Sequence, residues 1–232
     1  MSVLVPARRR GVEYLDDPGT APAVRTRSLR DVARSNSLFG GLGAVLTELR
    51  PIFRTGRGER LVMLDVGSGI GDIPRAARRL ARSEDVHLDT IALDNSEELA
   101  GPSREGGNLP CCADALALPF ADRSADIVMC SQLLHHFPDE ETDAVIAEMH
   151  RVARRHVIIA DIRRSWIAAA GIWLASFPLR FHPVSRHDGV VSVLRGFTPR
   201  ELGALVRRAT GVTPSVRRHR GYRITATWSV AG

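Results

Sequence analysis

The chain has 232 residues, and 32 basic side chains, every one an arginine, stand against 26 acidic ones for a formal net charge of +6. With 44% hydrophobic and 25% charged residues, the composition excludes intrinsic disorder, a collagen repeat and a disulfide scaffold, and it suffices for one well-buried domain. A sequence pI near 10.4 invites a nucleic-acid reading, but the arginines are scattered over helices and the last strand rather than gathered in one stripe with interleaved aromatics.

Cys111, Cys112 and Cys130 fit no CxxC or Cys/His zinc spacing, which predicts a reduced, cytoplasmic protein without a metal site. Arginines 8 to 10 are followed by no apolar segment, so no secretory signal is expected. The longest apolar run, Trp166 to Leu179, has 14 residues, short of the roughly 17 to 25 of a membrane-spanning helix.

In chain order, residues 1–60 read as an N-terminal helical cap. A turn-rich arm from Tyr14 to Pro22 precedes a helix capped by Ser28 and running to Phe39, which Gly40-Gly41 stops. A second helix follows from Leu42 to about Phe53. Residues 61–232 then alternate apolar runs with amphipathic helices, the pattern of a doubly wound, mostly parallel α/β sheet. The expected strands are Leu61 to Val66, Leu88 to Leu93, Leu109 to Cys112, Asp126 to Ser131 and Val157 to Asp161, with helices over about 72–82 and 139–154. Residues 162–197 form a connection longer than the usual 2 to 6 residues and read as an insertion at the site. Thr198-Pro199-Arg200-Glu201 opens a helix with a capping box. An antiparallel hairpin ends the chain, turning at Arg220-Gly221, with Tyr222, Ile224, Ala226 and Trp228 on one face and Arg223, Thr225 and Thr227 on the other.

The strongest motif is Leu61 to Asp72, where an apolar strand runs into Gly67, Gly69 and Gly71 and then a helix. Glycines there let a ligand approach the helix N-terminus. Asp94, ending the second strand, faces the same crevice and suits ribose hydroxyls. The G-x-G-x-G spacing differs from the G-x-G-x-x-G of pyrophosphate binders, and Asp65, two residues before the first glycine, favours a ligand with positive charge near the strand end.

Asp65-Val-Gly-Ser-Gly-Ile-Gly-Asp72, Asp94-Asn95-Ser96, Ala113-Asp114-Ala115-Leu116, Leu118-Pro119-Phe120 and Leu134-His135-His136-Phe137-Pro138-Asp139 resemble the class I S-adenosylmethionine-dependent methyltransferases, in the ubiquinone/menaquinone-biosynthesis-like group. The resemblance covers about 61–161 and implies a Rossmann-like seven-stranded sheet with S-adenosylmethionine as cofactor. It implies that Asp65 with Gly67, Ser68, Gly69 and Gly71 lines the methionine portion, and that Asp94 holds the ribose with Asn95 beside the adenine. It further implies that Asp114 and the Ala115 backbone address the adenine and that Ser131 and Gln132 contact the methionine end.

For an oxygen acceptor, such chemistry needs alignment and deprotonation, for which histidine is suited. His135 and His136 follow the fourth strand, and a His187-Asp188-Gly189 turn in the insertion offers a third base; structural roles as loop contacts or surface turns compete. Cys111 and Cys112 are expected to be buried strand residues with packing roles. Trp166, Ile167, Ile172, Trp173, Leu174, Phe177, Leu179 and Phe181 offer either core packing or an apolar lid over a small hydrophobic acceptor. The leading reading is O-methylation of a phenol or enol in polyketide- or quinone-type secondary metabolism. Carbon methylation of an activated ring and a non-catalytic cofactor-binding protein are the alternatives. Ser131-Gln132-Leu133-Leu134 stands where base-modifying enzymes carry an Asn/Asp-Pro-Pro-aromatic segment, so no nucleic-acid substrate is expected. Oligomeric state is not legible.

Overall fold

A computed structural model describes residues 5–9, 11–17 and 19–230, with the backbone alone at 100–102. Arg10 of the arginine run and Pro18 of the expected arm lie outside the described residues. A short turn at Tyr14–Asp16 leads to α1 (Pro22–Leu38), α2 (Gly41–Thr55), β1 (Arg60–Val66), α3 (Asp72–Ser83), β2 (His87–Asp94), α4 (Ala100–Glu105), β3 (Leu109–Cys112) and β4 (Ala125–Ser131). Then come α5 (Asp139–Val152), β5 (Ala153–Ile162), α6 (Trp166–Ser176), α7 (Pro183–Arg195), α8 (Pro199–Thr210), β6 (Ser215–His219) and β7 (Arg223–Ser229). The seven strands form one sheet in the order β3-β2-β1-β4-β5-β7-β6, with β7 antiparallel to both neighbours. This is the expected Rossmann-like arrangement. The chain winds outward from β1 through β2 to β3 and then returns to β4 on the other side, so the loops after β1 and β4 flank the crevice where such sheets bind ligands.

Strand residues alternate between two apolar layers. Leu64, Val66, Val128, Val157 and Ile159 face α5 and α8, joined by Ile224, Ala226 and Trp228 of β7. Leu61, Met63, Ile127, Met129 and Ile158 face α3 and α2, whose Val45, Leu49 and Phe53 are fully buried. The parallel strands are thus covered on both sides, which is why they read as continuous apolar runs.

Tertiary contacts shape the local structure in three places. Helix α1 begins at Pro22, not at Ser28; the proline occupies its first turn, and Ser28 lies buried within the helix, meeting the Ser185 hydroxyl at 3.1 Å. The Thr225 face of β7 is not a solvent face, because α2 crosses it: Thr225 is buried and donates to Glu48 Oε1 at 2.9 Å, with His219 Nε2 3.1 Å from the same oxygen. Cys112 is exposed and Cys111 half-buried, since β3 is an edge strand paired only with β2.

The long connection over 162–197 is also more ordered than a loop: it folds as α6 and α7. His187-Asp188-Gly189 is accordingly a stretch inside α7 and not a turn. Helix α1 is fastened to α7 through Asp31 Oδ2, which accepts from His182 N and Ser185 Oγ, each at 2.9 Å. Among the described residues no helix is long and apolar enough to cross a membrane.

Phe53→Ala, which opens a cavity between α2 and the sheet, is expected to cost about 3–5 kcal/mol in urea unfolding. Cys112→Ser on the edge is expected to stay within about 0.5 kcal/mol of wild type in the same experiment.

Candidate active site

The loop after β1 is shaped by its backbone bonds. Gly67 N and Ser68 N donate to Leu93 O at 2.8 and 2.9 Å, while Gly69 N donates to Asp94 Oδ2 at 2.9 Å. Gly67 has φ +71°, and a Cβ there would lie 2.7 Å from Leu133 Cδ1; Gly69 has φ +54° and faces open space that a side chain would fill. Gly71 precedes α3 as its N-terminal cap residue. Asp94 thereby ties the loop to β2, and its other oxygen accepts from Ser96 N at 3.2 Å. Burial pushes its carboxyl up against the opposing effect of these amide donors.

Asp65, Gly67, Ser68, Gly69, Asp94, Asn95, Asp114, Ala115, Ser131 and Gln132 line one cavity of about 530 Å³. The structure therefore brings together every expected ligand-contacting residue except Gly71. Asn95 and Asp114 lie at its exposed rim, where Asp114 Oδ1 accepts from Leu116 N at 2.9 Å. Asp65 lies deeper, 1% exposed, and neither of its oxygens meets a hydrogen-bond partner among the described residues. Burial, then the nearby Asp72 and Asp94, push its pKa well above the ordinary 3.8. Ser68 Oγ and Asp72 Oδ2 are likewise buried without partners. An acidic, glycine-bordered pocket with orphan acceptors suits a ligand carrying a cation and several donors.

Gln132, the first residue after β4, adopts φ +54°, an uncommon conformation for a residue with a side chain. Its Nε2 donates to Asn36 Oδ1 and its Oε1 accepts from Arg223 Nη1 at 2.6 Å, so it joins α1 to β7. It also stands at the boundary with a second cavity of about 300 Å³, which shares Glu13, Leu15, Val32, Gln132 and Ser192 with the first. The second cavity is largely apolar, with Ile162, Ile167, Ile172, Phe181 and Val193 in its wall. Trp166, Trp173, Leu174 and Phe177 of the expected lid point outward instead.

The three candidate histidines have separate fates. His135 is buried, its Nδ1 2.7 Å from Asp161 Oδ1, and its Nε2, 3.9 Å from Glu13 Oε1, has no hydrogen-bond partner among the described residues. Asp161 is held below the usual carboxylate range: burial would raise it, but the charge and hydrogen bond of His135, with Ile162 N, outweigh that. With Nδ1 engaged by Asp161, only Nε2 is left for a ligand of the cavity that His135 lines. His136 places Nδ1 2.9 Å from Asp16 Oδ1. His187 is 44% exposed in its side chain, contacts Asp188 at 2.9 Å and Tyr14, and lines neither cavity.

Glu13, Asp16, Asp161 and Arg195 complete this region without having been singled out for it in the sequence. Asp161 carried a signal, being acidic at the end of an apolar strand; Glu13 and Asp16 lie in an arm with no periodicity. Arg195 Nη1 is 3.2 Å from Glu13 Oε1 and 2.8 Å from Asp16 Oδ2. Burial raises the Glu13 carboxyl despite His136 and Arg195, whereas for Asp16 those same two partners outweigh burial and lower it to about 2. Glu13, His135 and His136 bring one ligand-type atom each within 4.8 Å, but the Arg195 guanidinium already supplies positive charge to this cluster.

The sequence pattern of the family described as a methyltransferase domain matches residues 64–160. An O-methyltransferase of Aspergillus nomiae, rstn1, is 34% identical over 159 residues, 65% of this chain and 61% of its own length. The chain spans 35–61% of the length of the curated relatives it matches. The magnesium protoporphyrin IX methyltransferase of Synechocystis PCC 6803, solved with bound S-adenosylmethionine, shares the fold with a TM-score of 0.56 at 15% identity, over 94% of this chain and 88% of that one. TnmH shares it with a TM-score of 0.64 at 22% identity, over 95% of this chain and 62% of that one.

Because the folded-state pKa of Asp65 is raised above 3.8, its protonated form favours the folded, ligand-free chain at low pH, and that contribution is lost as pH climbs through the raised value. Asp65→Asn, which stays neutral, is expected to gain Tm relative to wild type between about pH 5 and about pH 8. A Tm difference independent of pH would contradict the assignment.

Proposed function

We propose that the chain is a class I S-adenosylmethionine-dependent methyltransferase, a reading supported by the match of residues 64–160 to the methyltransferase-domain family, and that it methylates a hydroxyl oxygen of a small apolar or aromatic acceptor, a phenol or enol of the polyketide or quinone type. The observation that carries the reading is the junction of two unlike cavities at Glu13 and Gln132, with His135 close by. One is acidic and glycine-bordered, the other apolar, and His135, braced by Asp161 and lining the acidic cavity, places Nε2 3.9 Å from Glu13, which both cavities share.

The residues fit S-adenosylmethionine on the evidence of their own unsatisfied groups. Asp65, an orphan buried acceptor, suits the ammonium of the amino-acid end. Asp94 suits the ribose, Asp114 and Ala115 the adenine with Asn95 beside it, and Ser131 and Gln132 the methionine end. When bound, the cofactor supplies a methyl already made electrophilic by positive sulfur. The chain's own tasks are then to orient the acceptor, exclude water and receive a proton. Ile162, Ile167, Ile172 and Phe181 supply a dry wall for the acceptor, and helices α1, α6 and α7 act as its lid. His135 Nε2 is the proton acceptor in this proposal, and Asp161 is a positioning residue that fixes the ring and stabilises its charged form. His136, engaged by Asp16, contributes to the wall. His187, outside both cavities, has no chemical part. A largely apolar cavity of about 300 Å³ is of a size for a small molecule, which supports the small-molecule reading. A cytoplasmic setting belongs to the same proposal.

Incubation with methyl-labelled S-adenosylmethionine and a panel of phenols, enols and quinols is expected to give O-methylated product by mass spectrometry. Product methylated on carbon would favour the alternative chemistry, and label transferred only to nucleic acid would overturn the small-molecule reading. His135→Ala is expected to lower kcat by about 10²–10⁴-fold with unchanged cofactor affinity. Asp161→Asn should lower kcat in the same sense, and His187→Ala should leave it unchanged. Full turnover in His135→Ala would remove the base from the mechanism.

A further inference from the structure

The outward face of α6 is unlike the rest of the surface. Trp166, Trp173, Leu174 and Phe177, at relative positions i, i+7, i+8 and i+11, share one side of the helix and are 40–60% exposed. Trp173 and Phe177 meet edge to face at 5.0 Å, forming a continuous aromatic ridge. Contiguous apolar surface of this kind marks a contact with something else.

The charge around the ridge says what that something is. Between Asp161 and Asp188 the sequence contains no acidic residue. Arginines rim the ridge instead: Arg9 lies 5.1 Å over the Trp166 ring and Arg186 3.8 Å over Phe177. Arg27 and Arg34 of α1 reach the carbonyls of Arg180 and Leu179, just beyond α6, and their side chains remain about half exposed. Asp31, buried between them, lies 3.6 Å from Arg27 and 4.0 Å from Arg34 and so offsets one of these two charges, which leaves the rim net positive with Arg9 and Arg186. A second copy of the chain on a two-fold axis would set this cationic rim against itself. Tryptophan and phenylalanine flanked by arginine, on a helix of 11 residues that is too short to span, match a helix lying in the plane of a negatively charged bilayer surface.

We propose that the outer face of α6, with its arginine rim, docks the chain onto anionic lipid membrane. Ile167 is both 49% exposed and part of the wall of the apolar cavity. On the methyl-transfer reading, which the docking itself does not require, the cavity therefore opens beside the surface that touches lipid, and a lipophilic acceptor is loaded from the bilayer.

The test is co-sedimentation of the full chain with vesicles of phosphatidylcholine alone and of phosphatidylcholine with about three tenths phosphatidylglycerol. Wild type is expected to pellet with the anionic vesicles at least about tenfold more strongly, with binding that weakens as salt rises. Trp173→Ser/Leu174→Ser/Phe177→Ser should abolish the pelleting. Arg27→Gln/Arg34→Gln, which leaves the ridge intact, should weaken it and flatten its salt dependence. No preference for anionic vesicles, or unchanged binding in both variants, would overturn the proposal. So would a wild-type dimer that the triple substitution dissociates without any vesicle binding, which would assign the ridge to a second copy. None of these readouts requires turnover, so failure here is distinct from failure of the methyl-transfer reading.

Discussion

Asp65, next to last in its strand, has both carboxylate oxygens buried without a hydrogen-bond partner among the described residues, and a carboxylate so placed costs several kcal/mol unless it takes a proton or meets a cation. Much of the architecture bears on keeping it there. The sheet is covered on both faces by apolar helices, which supply the stability that such a group consumes. The glycine turn that follows brings its amides to Leu93 and Asp94 rather than to Asp65, leaving the buried acceptor for a ligand. Asp72 and Asp94 add negative charge and make the pocket more selective for a cation.

A second, smaller constraint acts across the crevice. Gln132 is held at positive φ between Asn36 of α1 and Arg223 of β7, and it separates an acidic compartment from an apolar one. Beside it, Asp161 holds His135 by one nitrogen, and the other, near Glu13, makes no hydrogen bond among the described residues. The N-terminal arm closes over both: Asp188 accepts from Tyr14 N and Leu15 N at 3.0 Å, and Arg195 grips Glu13 and Asp16. Helix α7, which the sequence marks only as part of a long connection, is therefore the part that fastens the arm over the cavities. The arginines divide accordingly. A few, such as Arg195 and Arg223, are buried working parts, while those around α6 give one face a distinct chemistry.

The sequence is legible where one physical pattern dominates. The parallel strands announce themselves because both faces are buried, and α8 because its proline, threonine and glutamate satisfy one helix end, as the capping bonds at Thr198 and Glu201 show. The crevice is legible because Asp65, Asp94 and Asp114 follow strands in fixed order. Local rules fail where tertiary contacts decide. Ser28 is a good cap by type, yet Pro22 starts the helix earlier. Thr225 alternates like a solvent-facing residue, yet α2 supplies Glu48 to it. Cys112 sits in an apolar strand, yet that strand is the sheet edge. Glu13 offers no pattern at all, since its position depends on contacts with Arg195 and Ser192, 179 or more residues away in sequence.

The most direct measurement is isothermal titration of the chain with S-adenosylmethionine in buffers of different ionisation enthalpy, for wild type and Asp65→Asn. A buried Asp65 whose pKa is raised in the free chain should give up its proton as the ligand's ammonium arrives, so wild-type binding should release protons. Asp65→Asn should bind at least about tenfold more weakly, with that release lost. Binding of equal strength and equal proton count in the two proteins would contradict the account.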